Sequence, residues 1–525
     1  MKVTITILII IIVAALMILF INFNPGTNKD LTNNTAIMID EVLASRTPLV
    51  KKYPARYNLL SETAEKGFNP TQSYGLPNFM GQDYFNGYDN MNTYDSLEFP
   101  RDHMAQLGFQ IGWFFWSGNF LDTDSNEVDV VVVFFRRALY PPPIAAKLDL
   151  SDIENQLGQA VVAVNYANRN LHVTGINPVI SGTGGQIIYG IEPFVAQFGE
   201  NSARSLKKEK MFPMKITIVD TAKDLSIDLN LMESKPILLQ GDEGKIPSIF
   251  GLGTWYYSYP NIKTKGFVTY KGDTSFLQGK MWMDHQWLAG ISPTGYPKNI
   301  IIQAIANITE GFSGKTPASF GWDWSDVQFD DNTEVTFASP HSPKTSVLKN
   351  KGENPPATVT RDITGKYIDE NGNGENITGT VTINKWMRSP RSGAWYPNGW
   401  EVNIPGKKLE FSMTSTVDDQ FIYAAASEIR EGGVFVKGTK EGKEISGYGF
   451  GEGVNYSGNE FYVKENMALL GIEDNPTNRK LLESSPPGVW LVVQSMIVLV
   501  SPVALLVLII LVIIVLLKKK KRSKS

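Results

Sequence analysis

No cysteine occurs in the 525 residues, so disulfides, thiolate nucleophiles and cysteine–metal sites are excluded. Histidine is nearly absent. His103, His172, His285 and His341 are too few for a His-rich metal cluster. Charge is sparse and close to balanced: 19 % of residues are charged and the formal net charge is −4. That is no electrostatic footprint for a nucleic-acid partner. Apolar residues are not scarce. At 42 % hydrophobic the chain is excluded from the disordered class. Its 46 glycines and 29 prolines are ordinary for a turn-rich globular protein. At roughly 100–200 residues per domain there is room for two to four domains.

The longest apolar runs stand at the two ends. Residues 3–22 form one after Lys2. About 20 such residues span a bilayer core. The run is long for a signal peptide and no A-x-A site follows it. Residues 1–23 therefore fit an uncleaved signal-anchor or a cleaved signal peptide. The second run, 489–517, carries no charge, and Ser501-Pro502 is a kink that membrane helices tolerate. A basic tail, 518–525, follows with Lys518, Lys519, Lys520, Lys521, Arg522 and Lys524. A transmembrane helix ahead of such a block predicts a cytosolic tail and an extracytoplasmic main domain. Sequons at Asn33, Asn307, Asn376 and Asn455 agree with that exposure.

Between the anchors, residues 24–98 read as a stalk or wrapping segment rich in Asn, Gly and Tyr, with one short helix at 36–46. From Phe99 onward the pattern is β. Strand-length segments alternate with turn clusters. Residues 109–121 and 128–139 form one hairpin around DTDSNE. Residues 215–231 form another about Thr221–Asp224, and 266–283 a third about Lys271-Gly272-Asp273. Asp330-Asp331-Asn332 reads as a further hairpin turn. A single barrel is too small for about 360 residues of such strands. The expectation is all-β: two tandem β-barrels, 99–260 and 261–465, with a seam at Tyr259-Pro260 and a linker at 466–488.

Aromatic clusters recur at Trp113–Trp116, Trp255–Tyr257, Trp282 with Trp287, Trp322 with Trp324, and Trp395–Trp400. They fit barrel packing, or the walls of an apolar cavity inside a closed barrel.

These residues also carry a resemblance. FPRDHMAQLGFQIGWFFWSGNF (99–120), LLQGDEGKIPSIFGLGTWYYSYP (238–260), GKMWMDHQW (279–287) and GWDWSDVQFDDNTEV (321–335) stand in order with YPNGWEVNIP (396–405) and ISGYGFGEG (445–453). Together they resemble the carotenoid 1,2-hydratase family, also called hydroxyneurosporene synthase, AttH-like or kievitone hydratase-like. The resemblance implies tandem lipocalin-like barrels and, in some members, addition of water to a C=C bond of a large apolar substrate. The chain departs from the family at Gly112, where a Glu is usual, at Gln106-Leu107 for His-Pro, and at Asn119 for His.

Hydrating an alkene requires an acid that protonates carbon, a water, and a stabilised cation. A carboxyl in an apolar pocket stays protonated near neutral pH. Aromatic faces stabilise cations, and a His positions water. No metal or organic cofactor is required. Strand alternation puts Trp282, Asp284 and Gln286 on one face and Met283, His285 and Trp287 on the other. It puts Asp323 opposite Trp322 and Trp324. Asp323 is the first candidate acid and Asp284 the second, with His285 as the water partner. Trp282, Trp287, Trp322, Trp324 and Trp113 are the candidate substrate walls. Asp323, His285 and Trp287 are expected to border one cavity in the second barrel. Asp284 equally fits a strand-end carboxylate, and His285 a hydrogen-bonded structural histidine.

The functional expectation is a membrane-anchored, extracytoplasmic hydratase or isomerase acting on an apolar, isoprenoid or lipid ligand. The alternative is a non-catalytic lipid-binding or lipid-handling protein. A surface adhesion module is a third reading, supported only by the anchors.

Overall fold

The computed structural model describes residues 88–457, with breaks at 90, 94, 139–141, 148, 177–179, 183–184, 247–252, 289–320, 342–351, 425–426 and 455. The N-terminal anchor or signal, the 36–46 helix, most of the stalk, the linker, the transmembrane helix and the tail lie outside the described residues. Among those described, no helix is long and apolar enough to cross a membrane.

Two antiparallel sheets make up the body. The first has 14 strands. Its path runs from Leu171–Ile176 through Gln156–Tyr166, Glu127–Ala138, Ile111–Leu121, Asp273–Leu288, Thr254–Tyr270, Leu225–Glu233 and Met214–Asp220, and on to Ile187–Ile191. Strands far apart on that path meet face to face. Phe134 and Phe198 have ring centroids 5.3 Å apart. The sheet is therefore curled over its core as a half-barrel, and its path stays open among the described residues. The second sheet begins at Gly321–Phe329. Its Leu409–Ser415 strand pairs back onto Ser427–Lys440 and closes eight strands into a barrel. The expected all-β class holds, with one closed barrel and one half-barrel in place of two closed ones.

The three hairpins fold as their turn residues dictate. Leu121 pairs with Glu127, Asp220 with Leu225, and Tyr270 with Asp273. Lys271 and Gly272 take φ of 53° and 79°, the left-handed pair of a two-residue hairpin turn. Asp330–Asn332 also sits in a turn, between Phe329 and Glu334.

The seam at Tyr259-Pro260 is not a boundary. Thr254–Tyr270 runs through it as one strand, bulged between Tyr259 and Ile262. The next strand, Asp273–Leu288, pairs with both Thr254–Tyr270 and Ile111–Leu121. The GKMWMDHQW motif therefore belongs to the first unit, and the change of sheet falls between Leu288 and Gly321. Residues 261–288 were attached to the wrong unit because a hairpin's sequence carries no record of which edge it joins.

Burial explains the composition of the strands. Met214–Asp220 and Leu225–Glu233 alternate buried and less buried positions, as expected with one face in the core and one in water. Gln156–Tyr166 is buried at every position, and Ile111–Leu121 at most. Those strands face the half-barrel interior on one side and the closed barrel on the other. The interface between units holds Phe115, Val131, Val133, Trp282, Trp324 and Phe450. A buried ion pair, Lys235 Nζ to Glu334 at 2.6 Å, bridges the units, with Asn261 donating to the other Glu334 oxygen at 2.8 Å.

Candidate functional site: a carboxyl layer between the two units

The alternation read from the sequence holds in space, and it separates the predicted site residues. Trp282 and Asp284 face the closed barrel. Met283 and Trp287 point into the half-barrel interior. His285 lies there too, stacked on Phe114 at 3.9 Å and 4.6 Å from Trp287. Asp323 shares its parity with Val327 and Phe329, which line the lumen of the closed barrel. Trp322 and Trp324 point the other way, toward the half-barrel. The single cavity expected for Asp323, His285 and Trp287 does not exist, because their strands present them to different cores.

Each isolated group is accounted for locally. Asp323 is buried against the Arg361 guanidinium and accepts from Tyr456 Oη at 2.8 Å. Burial raises its carboxyl to about 6 against Arg361, so at neutral pH it is an ionised partner in a salt bridge. His285 places Nδ1 2.9 Å from the Trp113 carbonyl and Nε2 3.3 Å from that of Met104. Burial lowers it to about 3, so the ring is neutral. This is the structural histidine.

Four other buried carboxyls lie along the layer between the units. Asp284 comes from the half-barrel. It accepts from Tyr256 Oη at 2.6 Å, Ser258 Oγ at 2.5 Å and Trp282 Nε1 at 2.6 Å. From the closed barrel come Asp326, Glu431 and Glu452. Asp326 accepts from Ser117 Oγ across the interface at 2.7 Å. Glu452 accepts from Trp322 Nε1 at 3.0 Å and pairs in register with both Trp324 and Glu431. Glu431 is 3 % exposed, and its Oε1 has no hydrogen-bond partner among the described residues.

Burial dominates their protonation. It pushes Asp284 up to about 7, against its three donors. It pushes Asp326 to about 8, and the nearby Asp284 charge adds to that. Glu452 rises to about 8 by burial, reinforced by Asp284 and Asp323. Glu431 is driven well above the carboxylate range by burial and the Glu452 charge. Both carboxyls of the Asp284 and Asp326 pair are raised by burial; three hydrogen-bond donors oppose that at Asp284 and one at Asp326. Trp282, Trp324 and Phe115 surround them: the rings of Trp324 and Phe115 lie 5.4 Å apart, those of Trp324 and Trp282 6.5 Å. Among the described residues no three His, Asp or Glu side chains are grouped to hold a metal ion.

Asp326 was within reach of the sequence. It continues the parity of Trp322 and Trp324 inside GWDWSDV. Glu452 lies within the ISGYGFGEG motif but Glu431 in none, and only the pairing of their strands brings both to the layer.

The sequence matches the family model described as AttH-like over residues 90–453. The chain belongs to the AttH-like family. A protein from Nitrosomonas europaea described as AttH is 20 % identical over 69 % of this chain and 98 % of its own, with a TM-score of 0.52. Kievitone hydratase from Nectria haematococca is 15 % identical over 72 % of this chain and 98 % of its own, with a TM-score of 0.50. At those identities the likeness is one of fold. No curated protein matches the chain.

The AttH-like departures fall away from the carboxyl layer or keep a polar role. At Gly112 an added Cβ would lie 3.1 Å from the Arg136 guanidinium and 3.3 Å from Trp287, on the interior face of the half-barrel. Gln106 donates to the Met104 carbonyl at 2.9 Å. Asn119 faces the interface and donates to Asp129 at 2.8 Å.

Proposed function

We propose that this AttH-like protein is a hydratase-type enzyme that adds water across a C=C bond of an apolar, isoprenoid or lipid substrate between its two units. The observation that carries the reading is that Asp326 and Asp284, both buried and near enough for their charges to interact, lie in one interface with Trp282 and Trp324. Asp326 donates its proton to the alkene carbon. The indole faces of Trp282 and Trp324 stabilise the tertiary cation that forms. Asp284 takes a proton from the attacking water as its oxygen bonds to that cation. The charge of the layer is then restored with one proton gained and one lost, and no redox step occurs. The name of the Nectria relative, a hydratase, supports the same class of reaction.

The three departures from the family motifs leave the acid layer intact: Gly112 lies on the half-barrel interior, Gln106 bonds the Met104 carbonyl, and Asn119 retains an amide that donates to Asp129. The test is incubation of the full chain with prenylated test alkenes in heavy-oxygen water. Label appearing in a tertiary alcohol supports the hydratase. Binding of the alkene without label uptake would return the non-catalytic lipid-binding reading.

The two apolar end segments support a further part of this proposal: the β-body is held at the membrane surface on the extracytoplasmic side, with 518–525 in the cytosol. Protease added to intact cells is expected to degrade residues 88–457 and spare the tail. Protection of the body would overturn that placement.

A further inference from the structure

The half-barrel interior holds a second feature that the acid layer does not use. Five aromatic rings close a circuit there. Tyr189 lies 5.8 Å from Phe198, which lies 5.3 Å from Phe134. Phe134 is 5.8 Å from Trp116, Trp116 is 6.1 Å from Phe114, and Phe114 returns to Tyr189 at 6.4 Å. Two of the five carry hydrogen-bond donors, Trp116 Nε1 and Tyr189 Oη. Both atoms are buried and neither has a partner among the described residues. A third unpartnered donor, Trp287 Nε1, lies beyond His285, which itself stacks on Phe114. Trp116 and Trp287 are fully buried.

Buried polar groups are hydrogen-bonded in nearly all proteins, and one left unpaired weakens the fold. Three donors without acceptors in one aromatic interior are unusual. Their neighbours do not supply the missing acceptor. His285 is held between two carbonyls, and His103 Nδ1 already lies 2.9 Å from Tyr257 Oη. Arg136 at the edge of the interior is engaged with the Phe109 carbonyl at 2.7 Å and Gln156 at 3.2 Å.

We propose that the half-barrel interior is a second ligand site, separate from the carboxyl layer, for a neutral alkyl molecule bearing an acceptor oxygen such as a ketone or ester carbonyl. Trp116 and Tyr189 donate to that oxygen, and the ring circuit covers the chain. The site faces away from Asp284 and Asp326, so it does not depend on the hydratase reading.

The test uses the full chain in lipid nanodiscs and two photoreactive alkyl diazirines of equal length, one with a ketone and one without. The ketone probe is expected to label peptides carrying Ile111–Leu121 and Ile187–Ile191 about three- to tenfold more than the hydrocarbon, the worth of one net hydrogen bond. Excess methyl laurate and excess long-chain ketone, added separately, distinguish an ester from a ketone as the preferred source. Tyr189→Phe and Trp116→Phe remove a donor and keep a ring. Each is expected to abolish the preference while leaving the melting temperature equal or higher, because an unpaired donor is gone. Tyr189→Phe is the smaller change and keeps the test decisive should Trp116→Phe unfold. Equal labelling by both probes, with lower melting in the variants, would mean that water already satisfies these donors, and would overturn the proposal.

Discussion

Asp326 and Asp323 stand three residues apart on one strand and have opposite fates. Alternation sends Asp323 into the lumen, where a guanidinium keeps it charged. It sends Asp326 to the interface, where burial and the neighbouring Asp284 charge raise its pKa against the hydrogen bond that Ser117 donates to it. If Asp326 is the acid, Asp326→Asn keeps the shape, removes the proton, and lowers the hydration rate about 100- to 10,000-fold. Asp323→Asn leaves the chemistry in place and weakens the barrel by unpairing Arg361. Label uptake measured beside thermal melting separates the two. A rate loss in Asp323→Asn with unchanged melting would restore it as the acid. Motif and parity, both written in the sequence, point to Asp284, Trp282, Trp322 and Trp324, which the structure places at the interface. They do not separate Asp323 from Asp326 of GWDWSD by burial, because the two faces of that strand are equally buried.

At the scale of elements, the Ser427–Lys440 strand shows how close the two units approach. A Cβ on Gly433 would stand 2.0 Å from Asp129 Oδ2. Asp129, buried and raised to about 6 against the donors Thr416, Asn119 and Asn165, lies directly beneath that strand. Gly433→Ala is therefore expected to push the units apart and destabilise the body by about 1–3 kcal/mol, read as a lower denaturation midpoint. Gly406→Ala, whose Cβ would meet nothing within 4 Å, is the control and should leave the midpoint close to wild type. Strand positions and turns were readable from the sequence, since hydrophobic alternation and turn chemistry are local. Strand partners were not. The Asp273–Leu288 hairpin arm follows the Tyr259 bulge without interruption and joins the first unit through a register with Ile111–Leu121 that spans more than 150 positions of sequence.

The whole molecule carries its interface protons as a dependence of stability on pH. A carboxyl whose folded pKa is raised binds more protons folded than unfolded between its ordinary and raised values, so stability falls as pH rises through that window. For Asp284 the window runs from the ordinary carboxylate range to about 7, and for Asp326 to about 8. The buried histidines act in the opposite sense. His103 and His285 are lowered to about 4 and about 3, and they cost stability only once the unfolded chain's histidines begin to protonate, below about pH 6.5. Between pH 8.5 and 6.5 the carboxyls therefore govern, and the protein is expected to melt higher at pH 6.5. The slope approaches about 1.4 kcal/mol per pH unit for each fully linked group. Asp326→Asn should flatten that rise. A melting temperature that increases with pH over this interval would mean that the layer is ionised and the acid assignment fails.

The sequence by itself determined the all-β class, the hairpins and their turns, the AttH-like motifs, and the face of the strand on which each motif residue lies. All of these follow from period-two alternation and short-range turn geometry. Only the tertiary structure decided that one unit closes while the other stays open, and that GKMWMDHQW joins the first. It alone decided that Asp284, Asp326, Glu431 and Glu452 share one dry layer while His285 and Asp323 lie in separate cores. The physical reason is that closure, edge pairing and burial of a second strand face depend on contacts between residues far apart in sequence. An isolated strand reads the same whether its second face meets water or another sheet, unless both faces are apolar, as they are in Gln156–Tyr166.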